Sequence, residues 1–236
     1  MQPDQAPSNS LPQSRVEQPS KGKEAMPDSR EFDEIARTIF APAYPVIAAQ
    51  IVQETGIREG FCLDIGCGGG YLGLAIADMG PFDLGFLDPS DGMRDLAARN
   101  AIQKGLKERF QVLSGTAEAI PLPENCVDLA VSRGSVFFWS DPVMAFREIY
   151  RVLKPAGKAM VGGGFGSARI RDDIIRKMEE RNNGKDNWRK KVSGRLGPDA
   201  VQRFARLLDE SGLPDCRVNQ DPEKGLWITI KKENSL

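Results

Sequence analysis

A run of glycines after an early apolar segment is the first feature of this sequence that could bind a ligand. It extends over Leu63-Asp64-Ile65-Gly66-Cys67-Gly68-Gly69-Gly70-Tyr71. Glycines let the backbone turn sharply and approach a ligand closely, and the helix expected after them offers N–H groups to an anion. The run therefore predicts a binding loop for a ligand that carries a carboxylate or a phosphate.

Two cofactors fit these glycines. In a second frame, residues 68–73 match G-x-G-x-x-G, the pattern in which a dinucleotide pyrophosphate lies on a helix N-terminus. Asp64 stands just before the loop, where its carboxylate repels a pyrophosphate but accepts a hydrogen bond from a ligand ammonium group. The loop therefore favours an amino acid moiety, and a nicotinamide dinucleotide remains the alternative.

A second acidic residue, Asp88, follows the predicted strand that contains residues 84–87. A carboxylate placed about twenty residues after such a loop can accept hydrogen bonds from both hydroxyls of a ribose. A nucleoside joined to an amino acid describes S-adenosylmethionine. This molecule is therefore the expected cofactor.

Four segments in a fixed order extend this pattern beyond the loop. They are the glycine run, Asp88 with Met93, residues 115–123, and residues 146–157, and the resemblance that they carry covers roughly residues 30 to 165. In this order they resemble the class I S-adenosylmethionine-dependent methyltransferases, particularly the small-molecule branch grouped with ubiquinone and menaquinone biosynthesis methyltransferases (methyltransferase type 11). The resemblance implies a Rossmann-like, seven-stranded, mostly parallel sheet with an antiparallel C-terminal strand and helices on both faces.

The resemblance also implies which residues hold the cofactor. In the family, the loop after the first strand holds the methionine part of the cofactor. The loop after the second strand holds the ribose and one face of the adenine, and the loop after the third strand borders the adenine edge. The implied ligands are Asp64, Gly66, Cys67 and Gly68, then Asp88, Pro89 and Met93, and then Thr116, Ala117 and Glu118. Many relatives have aspartate where this chain has Thr116, and a threonine accepts more weakly from the adenine amine. Backbone groups of Ala117 can compensate.

Residues after the fourth predicted strand are placed to meet the acceptor, because open α/β sheets bind ligands at the carboxyl ends of their strands. We expect Arg133 to reach the methionine carboxylate, with an ion pair elsewhere as its alternative role. Phe137, Phe138 and Trp139 are candidates for the wall of the acceptor pocket or for the core. The segment lacks the Asn-Pro-Pro-Tyr and Pro-Cys patterns of nucleobase methyltransferases, so nucleic acid is not the expected acceptor.

Alternating strands and helices position these residues. Such alternation predicts crossover connections and a parallel sheet covered on both faces. A short turn at 222–225 makes the last two strands an antiparallel hairpin. The predicted strands contain residues 62–65, 84–87, 110–113, 127–131, 159–161, 216–218 and 226–230.

Three flanking segments complete the predicted organisation. Residues 1–28 are poor in apolar side chains and predict a disordered leader, which leaves 29–236 as the methyltransferase domain. Asp28 and Glu31 resemble a capping box for an amphipathic helix, and Tyr44 beyond it is a candidate cofactor contact. A charged helical insertion at about 167–197 has ten Lys or Arg and five Asp or Glu residues between 169 and 195. It is either a solvated surface or a lid over the substrate.

The composition excludes several classes of function. The chain of 236 residues has no histidine, which excludes serine-hydrolase triads and His-ligated metal sites, and no metal is expected. Four cysteines without a Cys-x-x-Cys pair indicate neither a disulfide framework nor zinc. A net charge of -1 favours neither nucleic acid nor an anionic membrane. No apolar run is long enough for a membrane span, so a cytoplasmic protein of undetermined oligomeric state is expected.

The predicted activity is the transfer of a methyl group from S-adenosylmethionine to a small molecule. The catalytic residues stay unknown, since a base without histidine must be a carboxylate, a tyrosine or the substrate itself. Tyr44, Asp141, Asp172 and Asp173 are available. A non-catalytic S-adenosylmethionine-binding subunit and an NAD-dependent oxidoreductase are the alternatives.

Overall fold

A seven-stranded sheet forms the centre of the computed structural model, which describes residues 29–185 and 187–234. The predicted leader lies outside these residues. The strands are β1 (Gly60–Ile65), β2 (Phe82–Asp88), β3 (Phe110–Ser114), β4 (Val127–Arg133), β5 (Leu153–Gly163), β6 (Asp215–Asp221) and β7 (Gly225–Lys231). They lie in the order β3-β2-β1-β4-β5-β7-β6, with β7 antiparallel to both neighbours and the other pairs parallel. The predicted α/β fold and its terminal hairpin are confirmed.

Helices connect the strands. They are α1 (Ser29–Ile35), α2 (Ala43–Thr55), α3 (Tyr71–Ala77), α4 (Asp91–Gln103), α5 (Pro142–Val152), α6 (Ala168–Arg181), α7 (Trp188–Leu196) and α8 (Pro198–Ser211), with a π-helical turn at Ala36–Phe40 and a 3-10 turn at Ser135–Phe138. The charged stretch at 167–197 thus forms α6 and α7.

Two apolar layers cover the sheet, because successive residues of a strand face opposite sides. In β1, Cys62 packs in the layer formed with α2, α3 and α4, whereas Leu63 and Ile65 pack in the layer formed with α5 and α8. All three side chains are fully buried. Leu63 and Ile65 each contribute about 1.5–3 kcal/mol of hydrophobic free energy. The two layers hold the strand ends rigidly where the functional loops begin.

The N-terminal helical region differs from the single amphipathic helix that the pattern predicts. Helix α1 ends at Ile35, a π-helical turn follows, and α2 starts after Pro42. Asp28, the first residue of the predicted capping box, lies outside the described residues. Among the described residues, no single helix has the length and apolar content to cross a membrane. The helical segments Arg30–Phe40 and Ala43–Thr55 have that length and apolar content only when they are taken together, and this pair is bent by 76°.

The helical period of apolar residues predicts two helix ends incorrectly. It places Met79 on the apolar face of the helix after the glycine loop, but α3 stops at Ala77 and Met79 is 38% exposed. It also places Leu153 in the helix before the fifth strand, whereas Leu153 begins β5. Both errors arise because an apolar residue next to a turn fits the helical period as well as the following element.

Candidate active site

The glycine loop connects β1 to α3 at the carboxyl edge of the sheet. Gly66 and Gly68 have φ angles of 64° and 53°, in the left-handed region that favours glycine. The N–H groups of Gly66 and Cys67 donate to the carbonyl of Leu87 at 2.8 and 3.1 Å. A Cβ on Gly66 would lie 2.4 Å from the Cβ of Ser135. The loop is therefore fixed between β2 and the turn after β4.

Asp64 lies behind this loop and is 2% exposed. Its Oδ2 accepts a hydrogen bond from the N–H of Gly73 at 2.9 Å. Burial raises its pKa from 3.8 to about 7; the Gly73 hydrogen bond acts against this shift and the charge of Asp88 adds to it. Asp64 does not lie on the wall of the cavity described next, and its hydrogen bond to a ligand ammonium group stays a prediction.

A central cavity of about 580 Å³ opens in front of the loop. Of the predicted cofactor residues, all except Asp64 and Cys67 line it. Those on the wall are Gly66, Gly68, Asp88, Pro89, Met93, Thr116, Ala117, Glu118 and Arg133. The structure therefore brings together residues from the ends of four strands.

Asp88 ends β2 and is 5% exposed. Its Oδ2 accepts from the N–H of Gly68 at 3.0 Å and its Oδ1 accepts from the N–H of Ser90 at 2.9 Å. Burial raises its pKa, and the two backbone hydrogen bonds partly offset this effect. A carboxylate has about four acceptor positions, so both oxygens keep capacity for further donors.

Glu118 links the loop after β3 to the start of α5. Its Oε1 accepts from the N–H and the hydroxyl of Ser140 at 2.7 and 2.9 Å. Burial raises its pKa, but hydrogen bonds with its own backbone N–H, the Ser140 hydroxyl, the Asp141 backbone and the Thr116 side chain outweigh that effect and lower it. Asp141 caps α5 through Met144 N–H at 3.0 Å. Glu118 and Asp141 therefore both have structural partners. In the described part of the chain, no group of three or more Cys, Asp or Glu side chains could hold a metal ion.

Arg133 places a cation on the cavity wall within an aromatic cage. Its guanidinium carbon lies 4.7, 5.4 and 5.5 Å from the ring centres of Phe40, Phe165 and Tyr44. Its Nε donates to the carbonyl of Gly164 at 2.9 Å. Burial lowers its pKa, and no carboxylate within the described ranges forms an ion pair with it. The cage therefore holds a cation that can receive an anion from the cavity.

The three aromatic residues after β4 all line the cavity. Phe137 and Trp139 also pack edge to face against Phe204 and Phe146, with ring centres 6.0 Å apart in each pair. Phe138 is 58% exposed. The pocket role and the core role that the sequence left open are therefore combined in Phe137 and Trp139.

Residues 30–40, which we name the N-terminal strap, form a part of the wall that the sequence did not reveal. Phe32, Ile35, Ala36 and Phe40 line the cavity. Phe32 covers the glycine loop so closely that a Cβ on Gly68 would lie 2.7 Å from its Cε1. The hydroxyl of Tyr71 donates to the carboxylate of Asp33 and ties the strap to α3. The amphipathic pattern of this segment could have indicated the contact, because an apolar helix face needs another surface to pack against.

The sequence left α7 open as a solvated surface or a lid, and it did not single out Ser135. Trp188, Lys191, Val192, Arg195 and Leu196 of α7 lie on the cavity wall. The Ser135 hydroxyl donates to the carbonyl of Ile65 at 3.0 Å and accepts from Trp139 Nε1 at 3.1 Å. It thereby connects the end of β1, where the glycine loop begins, to the aromatic residues on the cavity wall. A single serine in a turn gives no sequence signal of this kind.

Comparisons with known proteins agree with this arrangement. A family model described as a methyltransferase domain matches residues 63–161. The uncharacterized methyltransferase YdaC of Bacillus subtilis is 31% identical over 129 residues, which are 54% of this chain and 69% of that protein. The 2-methyl-6-phytyl-1,4-hydroquinone methyltransferase of Spinacia oleracea is 39% identical over 107 residues, which are 45% of this chain and only 30% of that enzyme.

A solved structure agrees over almost the whole fold. A protein of Methanococcus maripaludis assigned as an S-adenosyl-L-methionine-dependent methyltransferase has a TM-score of 0.83 and 38% identity, over 91% of this chain and 99% of that chain. These matches decide between the two cofactors that the glycines allowed, in favour of S-adenosylmethionine. The chain belongs to the class I S-adenosylmethionine-dependent methyltransferases.

Proposed function

We propose that this methyltransferase acts on a small molecule that binds in the central cavity beside the donor. The observation that carries the proposal is the continuity of one cavity of about 580 Å³ from the glycine loop and Asp88 to the aromatic residues 137–139 and α7. Pockets of about 300–1,000 Å³ commonly hold cofactors and small ligands. Donor and acceptor can therefore share one space.

The residues on the wall fit each part of S-adenosylmethionine. The backbone of Gly66 and Gly68 borders the part of the cavity proposed for the methionine part, and Arg133 supplies the cation for its carboxylate. Asp88 keeps acceptor capacity for the ribose hydroxyls. Met93 and the loop at 116–118 border the adenine.

The chemistry of the donor sets what the protein has to provide. Bound S-adenosylmethionine supplies an electrophilic methyl group on a positively charged sulfonium, which is already a good leaving group. The walls then have to align the acceptor atom with the methyl group and exclude water. Such alignment can contribute on the order of 7–11 kcal/mol to lowering a barrier. The aromatic side chains of Phe137, Trp139 and Phe165 suit this role.

The candidate bases are poorly placed to remove a proton from the acceptor. Asp141 caps α5, Asp172 pairs with Arg171, and Asp173 pairs with basic residues of α6. Burial raises the pKa of Tyr44, so its phenol stays protonated at neutral pH and has no basic oxygen to offer. We therefore propose that the acceptor presents a nucleophile that is ionised or needs no base.

A label-transfer experiment tests the proposal. The protein is incubated with methyl-labelled S-adenosylmethionine and a cell extract separated into dialysable molecules, protein and nucleic acid. Label in the dialysable fraction supports the proposal, and label confined to protein or nucleic acid contradicts it. Binding of S-adenosylhomocysteine without any transfer favours the non-catalytic subunit. An Asp88→Ala variant controls for transfer that does not use this site.

A further inference from the structure

We infer that Ser135 is a positioning residue for methyl transfer, because its hydroxyl fixes the Trp139 ring to the end of β1 that precedes the glycine loop. The inference rests on the proposed function, since it requires the donor and the acceptor to share the central cavity. Ser135 and Trp139 both lie on the wall of that cavity. Ser135 acts on the reaction through the ring that it holds.

The hydrogen bonds of Ser135 are the first observation. A hydroxyl group has one hydrogen to donate and two lone pairs that can accept. The Ser135 hydroxyl donates to the carbonyl of Ile65 at 3.0 Å and accepts from Trp139 Nε1 at 3.1 Å. The Ser132 hydroxyl lies 2.6 Å away and is the donor in that pair, because the hydrogen of Ser135 is already used. Ser135 therefore has no donor or acceptor capacity left for the methyl acceptor.

The anchoring of Ser135 is the second observation. It begins the 3-10 turn after Gly134, whose N–H donates to the carbonyl of Gly162 in β5 at 2.7 Å. Ser132 is fully buried in β4. The side chain of Ser135 thus connects the ends of β1 and β4, and the backbone beside it is bonded to β5. Three neighbouring strands therefore hold the hydroxyl, and groups that align reactants are most precise on such rigid elements.

The Trp139 ring is the third observation. It is held at two points, by the hydrogen bond from Nε1 to Ser135 and by edge-to-face packing against Phe146. Loss of the Ser135 hydroxyl removes the first point, so the ring can turn about its side-chain bonds. A displacement of about 1 Å beside the reacting atoms can lower a rate about a hundredfold. Ser135 is therefore expected to control how the acceptor is aligned with the methyl group.

The donor side has restraints of its own. The N–H groups of Gly66 and Cys67 donate to the carbonyl of Leu87, and these bonds do not involve Ser135. A Ser135→Ala substitution also retains the Cβ that lies beside Gly66. We therefore expect this variant to keep its affinity for the donor and to lose only rate.

A double-mutant cycle with label transfer tests the inference. Rates are measured with methyl-labelled S-adenosylmethionine and the dialysable fraction of the cell extract, over a series of donor concentrations. We expect Ser135→Ala to lower the maximal rate by about tenfold to a hundredfold and to change the KM for the donor by less than about threefold. In a Trp139→Phe background, which lacks the indole N–H, the same substitution should change the rate by less than about twofold.

The indole N–H of Trp139 provides a second readout that needs no acceptor. The chain has three tryptophans, so a proton–nitrogen correlation spectrum contains three indole signals, and the Trp139 signal is the one absent from the Trp139→Phe variant. Ser135→Ala should shift this signal and speed its exchange with water.

Ser211→Ala is the matched control. It removes a buried hydroxyl that donates to the carbonyl of Leu208 at 2.6 Å in α8, away from the cavity wall. It should change neither the rate of transfer nor the Trp139 signal. Thermal unfolding midpoints check that each variant is folded.

Four results would overturn the inference. They are an unchanged maximal rate in folded Ser135→Ala, an equal loss of rate in the Trp139→Phe background, a loss that appears only as a higher KM for the donor, and an unshifted Trp139 signal. Absence of transfer by the wild-type protein is a different outcome, because it contradicts the proposed function itself. The two failures are therefore distinguishable in one series of measurements.

Discussion

Asp64 is a carboxyl group that the fold shields from water, and this determines how its charge affects stability. Burial raises its pKa from 3.8 to about 7, so the folded chain favours the protonated form. Its contribution to the free energy of unfolding is therefore fully present when the pH is below 3.8, the pKa of the unfolded chain. It is lost as the pH rises through the folded pKa of about 7. A shift of this size corresponds to roughly 4 kcal/mol.

We predict that Asp64→Asn stabilises the ligand-free protein at pH 8 and changes its stability little at pH 4. The amide keeps an acceptor for the N–H of Gly73 but removes the buried charge. Urea denaturation at both pH values measures the difference. An equal effect at the two pH values would show that Asp64 is ionised without cost in the folded state.

At Asp88, we predict that replacement by alanine weakens S-adenosylhomocysteine binding by about tenfold to a hundredfold. Hydrogen bonds to a charged group contribute roughly 1.5–3 kcal/mol each, and Gly68 also loses its partner. Calorimetry measures the affinity. The control is Asp91→Ala, because the Asp91 side chain is 89% exposed and pairs with Arg94. Similar losses in both variants would argue against a ribose contact at Asp88.

At the scale of elements, the N-terminal strap is held to α3 by one hydrogen bond between side chains and by the packing of Phe32 on the glycine loop. It closes over the cavity, so its order and the occupancy of the cavity are coupled. We predict that Tyr71→Phe increases amide hydrogen exchange in residues 30–40 and weakens S-adenosylhomocysteine binding by about twofold to tenfold.

Hydrogen exchange with mass spectrometry, with and without S-adenosylhomocysteine, measures this coupling. The control is Tyr150→Phe in α5, which removes a hydroxyl from a helix outside the cavity wall. Unchanged exchange in the strap of the Tyr71 variant would mean that packing and the ion pairs of Arg181 with Glu31 and Glu34 hold it without this hydrogen bond.

Helix α5 begins at a cap whose side chain was also a candidate base. We predict that Asp141→Ala lowers the free energy of unfolding by about 1 kcal/mol, because the N–H of Met144 loses its acceptor. Asp141→Asn should retain most of the stability. Methyl transfer should persist in both folded variants, and its loss in the asparagine variant would instead identify Asp141 as the base.

At the scale of the whole molecule, ligand binding should be visible as stability. We predict that S-adenosylhomocysteine at a hundred times its dissociation constant stabilises the protein by about 2.7 kcal/mol. For a chain of this size, that raises the unfolding midpoint by roughly 5–10 °C. NADH at the same concentration should leave the midpoint unchanged. Thermal unfolding followed by fluorescence compares the two, and the opposite order would restore the nicotinamide alternative.

The whole-molecule view also explains what the sequence could predict. The places of Gly66, Gly68 and Asp88 on the cavity follow from their positions at strand ends, because a parallel sheet brings such ends together. The orientation of Asp64 could not be predicted, since it depends on which donor of α3 comes within reach. Lys191 reaches the cavity through the packing of α7 against α6 and α8. No local pattern distinguishes it from Lys190.

The position of β7 has a consequence for how the chain folds during synthesis. Of the described strands, β7 is translated last, yet it lies inside the sheet between β5 and β6. While residues 225–231 are still in the ribosome, β5 has an open edge with unpaired N–H and C=O groups, which can recruit a strand from another chain. Nascent chains stalled before β7 should therefore be the species that chaperones bind and that aggregate when chaperones are scarce.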